Sequence, residues 1–199
     1  KVVRDFGKEW KAFNHQDIDP SLLDSAFDSY FHIFPFDDLA AAEGFDMGCG
    51  SGRWALEIAH RVGKLYLIDA SNNALNVARK NLKNYENISF HNASVSQLPI
   101  NDNSLDFAYS LGVLHHVPKT FDAIKSISKK LKPGAPFLIY LYYSMDNKSC
   151  FYKFIWKLSE VFRFIISKMP MILRYLLSQV FAVFLYLPLA KLSKIIDKC

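Results

Sequence analysis

Cysteine is scarce in this 199-residue chain, which holds only Cys49, Cys150 and Cys199. An odd, sparse set argues against a disulfide framework and for a reducing, cytoplasmic compartment. No cysteine pair stands at metal-site spacing with histidine, so no structural zinc is expected. A secretory signal is also lacking, because residues 1–19 are charged and have no apolar core. The chain opens without an initiating Met, which points to a fragment or an incomplete reading frame. Acid is nearly absent from the C-terminal end: residues 147–199 carry nine Lys/Arg against Glu160 and Asp197, a net +7, while residues 1–146 are net −2. The overall +5 therefore belongs to the tail, which argues against a nucleic-acid footprint over the rest of the chain. Long apolar runs are missing too. The uninterrupted stretch 175–187 is 13 residues with Gln179 inside, short of the roughly 20 that span a bilayer, so spanning is not expected.

What is present is ordinary globular composition, 51% hydrophobic and 22% charged, enough for one catalytic domain with a single core. The chain is organised around Phe45-Asp46-Met47-Gly48-Cys49-Gly50-Ser51-Gly52. This reads as the end of a buried strand, a turn with glycine at alternate positions, and the first turn of a helix. Such a turn lets the backbone reach a ligand, and the helix directs its dipole at it. A second apolar run, Tyr66-Leu67-Ile68-Asp69, ends in an acid 23 residues after Asp46. In a parallel sheet that acid lies at the carboxyl end of the neighbouring strand, where it can accept both hydroxyls of a ribose. The competing reading is a helix N-cap, since Ala70-Ser71-Asn72-Asn73 opens the next helix.

The spacing differs from the dinucleotide fingerprint, because Gly52 follows Gly50 by two residues and the third position after Gly50 is Arg53. It resembles instead the first motif of class I S-adenosylmethionine (SAM) dependent methyltransferases of the type 11 kind. Further matches are Leu98-Pro99 with Asn103-Ser104-Leu105-Asp106, Leu114-His115-His116-Val117-Pro118, and Leu131-Lys132-Pro133-Gly134. The resemblance covers about residues 45–143. It implies SAM as cofactor and S-adenosylhomocysteine as product, with Gly48, Gly50 and Gly52 facing the amino-acid portion of SAM. Asp46 would bond the amino group or order the loop, and Asp69 would hold the ribose. Cys49 and Ala70 complete those two turns, and Leu111 would touch the methionine part. Relatives often place an acid at the adenine; the matching position here holds Ser94, followed by Val95, so that contact would be weaker.

Alternation of apolar strands and amphipathic helices from Phe45 predicts a Rossmann-like three-layer α/β/α sandwich. Its strands at 45–47, 64–69, 88–91, 105–111 and 136–143 would take the order 3-2-1-4-5. Helices are predicted over 52–62, 72–84 and 120–131. The resemblance implies two further strands, absent here, and they are expected beyond Cys199. Three parts follow: a helical lead-in over 1–34, a core over 35–146, and a basic, apolar helical arm over 147–199. In relatives a lead-in of this kind lies over the cofactor, so Trp10 would close the site, unless Trp10 and Phe13 simply pack on the core.

Methyl transfer is an in-line displacement onto an acceptor held in a dry pocket, and a base is needed only if the acceptor must lose a proton. His116, beside His115, and Tyr142 are the candidates near the switch point of the sheet; structural roles compete with catalysis for both. The arm would suit a small-molecule, glycan or lipid-linked acceptor. Its amphipathic helix would also suit peripheral membrane contact through 151–190, and a buried helix pair or dimer face is the plainer alternative. An RNA or protein methyltransferase is disfavoured by the acidic core and by the lack of an Asn-Pro-Pro-Tyr signature. A non-catalytic SAM-binding or interaction protein is disfavoured by the intact Asp46, Gly48, Gly50 and Asp69. The acceptor and the oligomeric state are left open by the sequence.

Overall fold

The computed structural model describes residues 20–36, 39–142 and 147–196. Trp10, Phe13, Tyr143 and Cys199, which figure in the sequence reading, lie outside them. Helix α1 (Pro20–Phe31) falls within the predicted lead-in, with Pro in the first turn, where its missing N–H has no helical partner to lose. Then follow β1 (Glu43–Met47), α2 (Arg53–Ile58) with a 3₁₀ turn Ala59–Arg61, β2 (Lys64–Asp69), α3 (Asn72–Asn81) and β3 (Ile88–Asn92). Strand β4 (Phe107–Leu111), a 3₁₀ turn Leu114–His116, α4 (Thr120–Ser128) and β5 (Phe137–Tyr140) complete the sheet. The five strands are all parallel in the order β3-β2-β1-β4-β5, as the sequence predicts. Strands β4 and β5 begin one or two residues later than expected, and the helices end three to four residues sooner.

Both faces of the sheet are covered, so its central strands read as continuous apolar runs rather than as alternating ones. One face packs Leu65, Leu67, Phe107 and Tyr109 under Phe27, Phe31, Trp54, Ile58, Leu75 and Ala78 from α1, α2 and α3. The other packs Phe45, Met47, Ile68 and Ala108 against Ala123 and Ile127 of α4. The lead-in helix α1 is therefore part of the main core: Phe27 and Phe31 are buried and stack at 4.5 Å.

Two motifs that carried the family resemblance fix the far end of the sheet. Asp106 accepts from the Glu43 backbone N–H at 2.9 Å and from Lys132 Nζ at 2.6 Å, tying β4 to β1 and to the turn before β5. Lys132 holds the Asp106 carboxyl below its usual range. The effect is structural and lies away from the carboxyl ends of the strands.

Residues from Tyr143 onward form a separate unit. It contains α5 (Cys150–Lys168), then α6 (Met171–Phe181), a π turn Ala182–Tyr186 and α7 (Leu187–Ile196) run together as one continuous helix. That continuity corrects the length on which spanning was discounted. Pro188 does not end the helix, because it falls just after the π turn, where the hydrogen-bond ladder is already re-registered. Ile172–Lys191 is thus a 20-residue helical stretch long and apolar enough to cross a membrane.

Candidate functional site

The glycine turn and the strand ends beside it enclose a cavity of ≈ 530 Å³ at the carboxyl edge of the sheet, within the usual range for small-molecule sites. Four segments line it: 47–54 after β1, Asp69-Ala70-Ser71 after β2, Ser94-Val95-Ser96 after β3, and 111–118 after β4. This is the switch point, where β1 and β4 are neighbours and their following segments diverge.

The turn is built by conformation. Gly48 has φ 86° and Gly52 φ 76°, in the left-handed region that L residues avoid. A Cβ at Gly48 would meet Val113 at 2.5 Å, and one at Gly52 would meet Leu82 at 2.6 Å. Asn81 donates to the Ser51 carbonyl at 3.0 Å, which ties α3 to the same turn.

Four of the turn's N–H groups are bonded inside the protein. Gly48 and Cys49 both donate to the Ile68 carbonyl, at 2.7 and 3.2 Å, and Gly52 donates to Cys49. Gly50 donates to Asp69 Oδ2 at 3.0 Å. A phosphate would find few donors on this loop. A ligand carrying positive charge finds instead the Asp69 carboxyl on the cavity wall.

Asp69 is the joint between the two turns, since its Oδ1 also accepts from the Ser71 N–H at 2.8 Å. Burial raises its pKa, and the bonds from Ser71 and Gly50 counter that rise. Each oxygen keeps a lone pair for a further donor. The helix-cap alternative is settled by geometry: Ser71 is the N-cap of α3, accepting from the Ala74 N–H.

Asp46 is buried behind the turn and does not line the cavity. Its Oδ2 and the hydroxyl of Tyr109, its register partner on β4, both lack a geometrically sound hydrogen bond. Burial pushes the Asp46 carboxyl well up; the nearby Tyr109 hydroxyl tempers the rise and Asp69 adds to it.

Gly48, Cys49, Asp69, Ala70, Ser94, Val95, Leu111 and His116 all line the cavity. Gly50 and Gly52 stand behind it as hinges of the turn. The Ser94 hydroxyl is shared with Ser96 at 2.8 Å, and the Val95 carbonyl accepts from Ser126. Cys49 is a buried thiol whose pKa is pushed well up, chiefly by burial, which removes it as a nucleophile.

Tyr142 is not among the lining residues; its ring lies 4.3 Å from that of His115, and the His115 ring is 4.0 Å from that of His116. Burial and then His116 lower the His115 pKa, which favours its neutral form.

Arg53 and Trp54 line the cavity as well, and the sequence reading gave neither a role here. The Arg53 guanidinium lies 4.1 Å from the Trp54 ring centroid, and its Nε is buried without a partner. Tyr30 of α1 is 5.3 Å from Trp54, ring to ring, and 4.9 Å from Tyr140, extending an aromatic rim. The available signal was position: a residue just after the third glycine begins α2 and must sit at the cavity.

Residues 45–139 match the family model described as a methyltransferase domain. Among curated proteins, demethylmenaquinone methyltransferase of Staphylococcus aureus is 32% identical over 95 residues, 46% of this chain and 39% of that relative. The chain thus matches about two fifths of the length of such relatives. Among solved structures, the YcgJ protein of Bacillus subtilis superposes with TM-score 0.53 at 24% identity, covering 61% of this chain and 50% of that one. Phosphoethanolamine N-methyltransferase 2 of Haemonchus contortus, solved with S-adenosyl-L-methionine, gives TM-score 0.53 at 23% identity, covering 58% of this chain and 27% of that one. These two likenesses establish the fold. The family match adds that residues 45–139 are similar to methyltransferase domains.

Proposed function

We propose that this domain transfers a methyl group from SAM to an apolar or amphipathic acceptor, a small molecule or a lipid-linked intermediate. The observation that carries the reading is the joint made by Asp69, which links the glycine turn to the turn after β2 on the wall of the family's cavity. The residues present fit this cofactor. Asp69 has lone pairs for ribose hydroxyls, and a turn whose N–H groups are internally bonded suits a sulfonium and an ammonium better than a phosphate. Ser94 and Val95 stand where adenine would lie, and Leu111 and Val113 give an apolar wall. SAM bound there supplies a methyl carbon activated by its positive sulfur, with S-adenosylhomocysteine as the product.

The chain's own part is to orient donor and acceptor and to exclude water. Trp54, Val113, Val117 and Pro118 make the wall apolar, and His116 lies on the same wall as the place for proton removal. Arg53 would favour an acceptor that carries or develops negative charge. Demethylmenaquinone, named as the acceptor of the Staphylococcus aureus relative, is an apolar acceptor of the kind proposed.

The test is transfer of a tritiated methyl group from SAM to a panel of lipid-soluble quinols, phenols and polar controls. Incorporation into an apolar acceptor, slowed at least about tenfold by His116→Gln, supports the reading with His116 as base. Labelling of RNA or protein alone would replace the acceptor class. SAM binding with no turnover on any acceptor would leave a binding module.

A further inference from the structure

The helical unit is the part of the molecule that methyl transfer leaves unexplained. In α5, Phe151, Phe154, Leu158, Val161 and Ile165 recur at three- and four-residue steps, and all are exposed. Lys153, Lys157, Glu160 and Arg163 recur at the same steps on the other side, with Glu160 bonded to Arg163 at 2.8 Å. The stripe is therefore net cationic. No residue of α5 is buried, and none of the Ile172–Lys191 stretch is buried among the described residues. That second helix is apolar nearly all round, with Ile172, Tyr175, Val180 and Phe184 each at least half exposed. An exposed apolar surface of this extent marks an interaction site.

We infer that this unit is seated on a bilayer of anionic lipid. The α5 helix lies in the headgroup plane with its Phe/Leu/Val stripe down, and the 172–191 helix enters the hydrocarbon. Two observations select lipid over a second copy of the chain. First, the 147–199 segment carries +7, so pairing two copies through it brings like charges together, whereas anionic headgroups neutralise them. Second, 20 helical residues rise about 30 Å, the thickness of the hydrocarbon layer. Cationic and aromatic residues on one amphipathic helix, followed by a predominantly apolar one, combine interfacial adsorption with insertion. The inference stands apart from methyl transfer and would hold for a domain that only bound SAM.

The test is flotation of the full chain with vesicles of phosphatidylcholine containing one-third phosphatidylglycerol, against vesicles of phosphatidylcholine alone. The chain is expected to float with the anionic vesicles and to be partly released by high salt. Lys153→Gln/Lys157→Gln/Arg163→Gln removes three headgroup charges and should weaken partitioning by about a hundredfold. Leu158→Asp on the apolar stripe should also weaken it, and an unchanged thermal melt of each variant shows that the domain remains folded. A chain that stays unbound from both vesicle types overturns the inference. So does a stable dimer in vesicle-free buffer that Leu158→Asp converts to monomer, or equal flotation of the wild type and the triple variant.

Discussion

The two units of this chain use apolar residues in opposite ways. In the sheet domain they are removed from water, and Leu65, Leu67, Ile68 and Phe107 have no exposed surface. In the helical unit they face outward, as Phe151, Phe162 and Phe184 do. The first arrangement defines a solid framework on which Gly48, Asp69 and Arg53 hold fixed positions. The second leaves the segment's stability to whatever it contacts. The lesson is that the composition of the whole chain describes neither part: its 51% hydrophobic content sums a packed core and an exposed helical surface.

Substitutions separate the two units, and the largest effect is expected in the core. Leu67→Ala, in the fully buried middle of β2, should lower the unfolding free energy by about 2–5 kcal/mol in a denaturant titration. Gly48→Ala should cost about 1–2 kcal/mol from the left-handed backbone alone. It should also reduce SAM affinity beyond that cost, because the new Cβ displaces Val113, which lines the cavity. Calorimetry set against thermal melts measures both.

Asp46→Asn should alter how stability follows pH. Burial holds the folded carboxyl well above its ordinary value of 3.8. Between that value and the folded pKa the native state keeps a proton that the unfolded chain releases, so stability falls as pH rises through the window. The variant should remove the Asp46 part of that fall and be the more stable protein at neutral pH, with a melting temperature higher by roughly 2–4 °C per kcal/mol recovered. Asp69, raised in the same direction, preserves a slope of the same sign. A pH series of melts would show both.

The smallest effect belongs to the helical unit. Phe162→Ser, on its exposed surface, should change domain stability by no more than about 0.5 kcal/mol. A loss as large as that of Leu67→Ala would mean that this surface is buried in the folded protein and would erase the contrast.

The sheet was legible in sequence because few residues satisfy its demands. Gly48 and Gly52 hold φ values that side chains resist, and an acid ending an apolar run, as Asp69 does, has few purposes in a parallel sheet. Strand order followed from right-handed crossovers. Internal bonding of the turn was not legible, since the Ile68 carbonyl that takes the Gly48 and Cys49 N–H groups carries no mark in the sequence. Nor was the rim of Tyr30, Arg53 and Trp54, which α1 and α2 bring together only after packing on the sheet. The helical arm runs past the 13 apolar residues of 175–187, because a helix carries Arg174 in its first turn and Pro188 after a π turn.

Calorimetric titration with SAM and S-adenosylhomocysteine, on the wild type and on Asp69→Asn, addresses most directly whether this cavity holds the cofactor. Asparagine keeps the side-chain shape and one acceptor while losing the charge and the second acceptor. Micromolar binding by the wild type, weakened at least about tenfold in the variant, is the predicted result. Absence of binding by a folded wild-type chain, or equal binding by the two proteins, would contradict the assignment of the cavity to the cofactor.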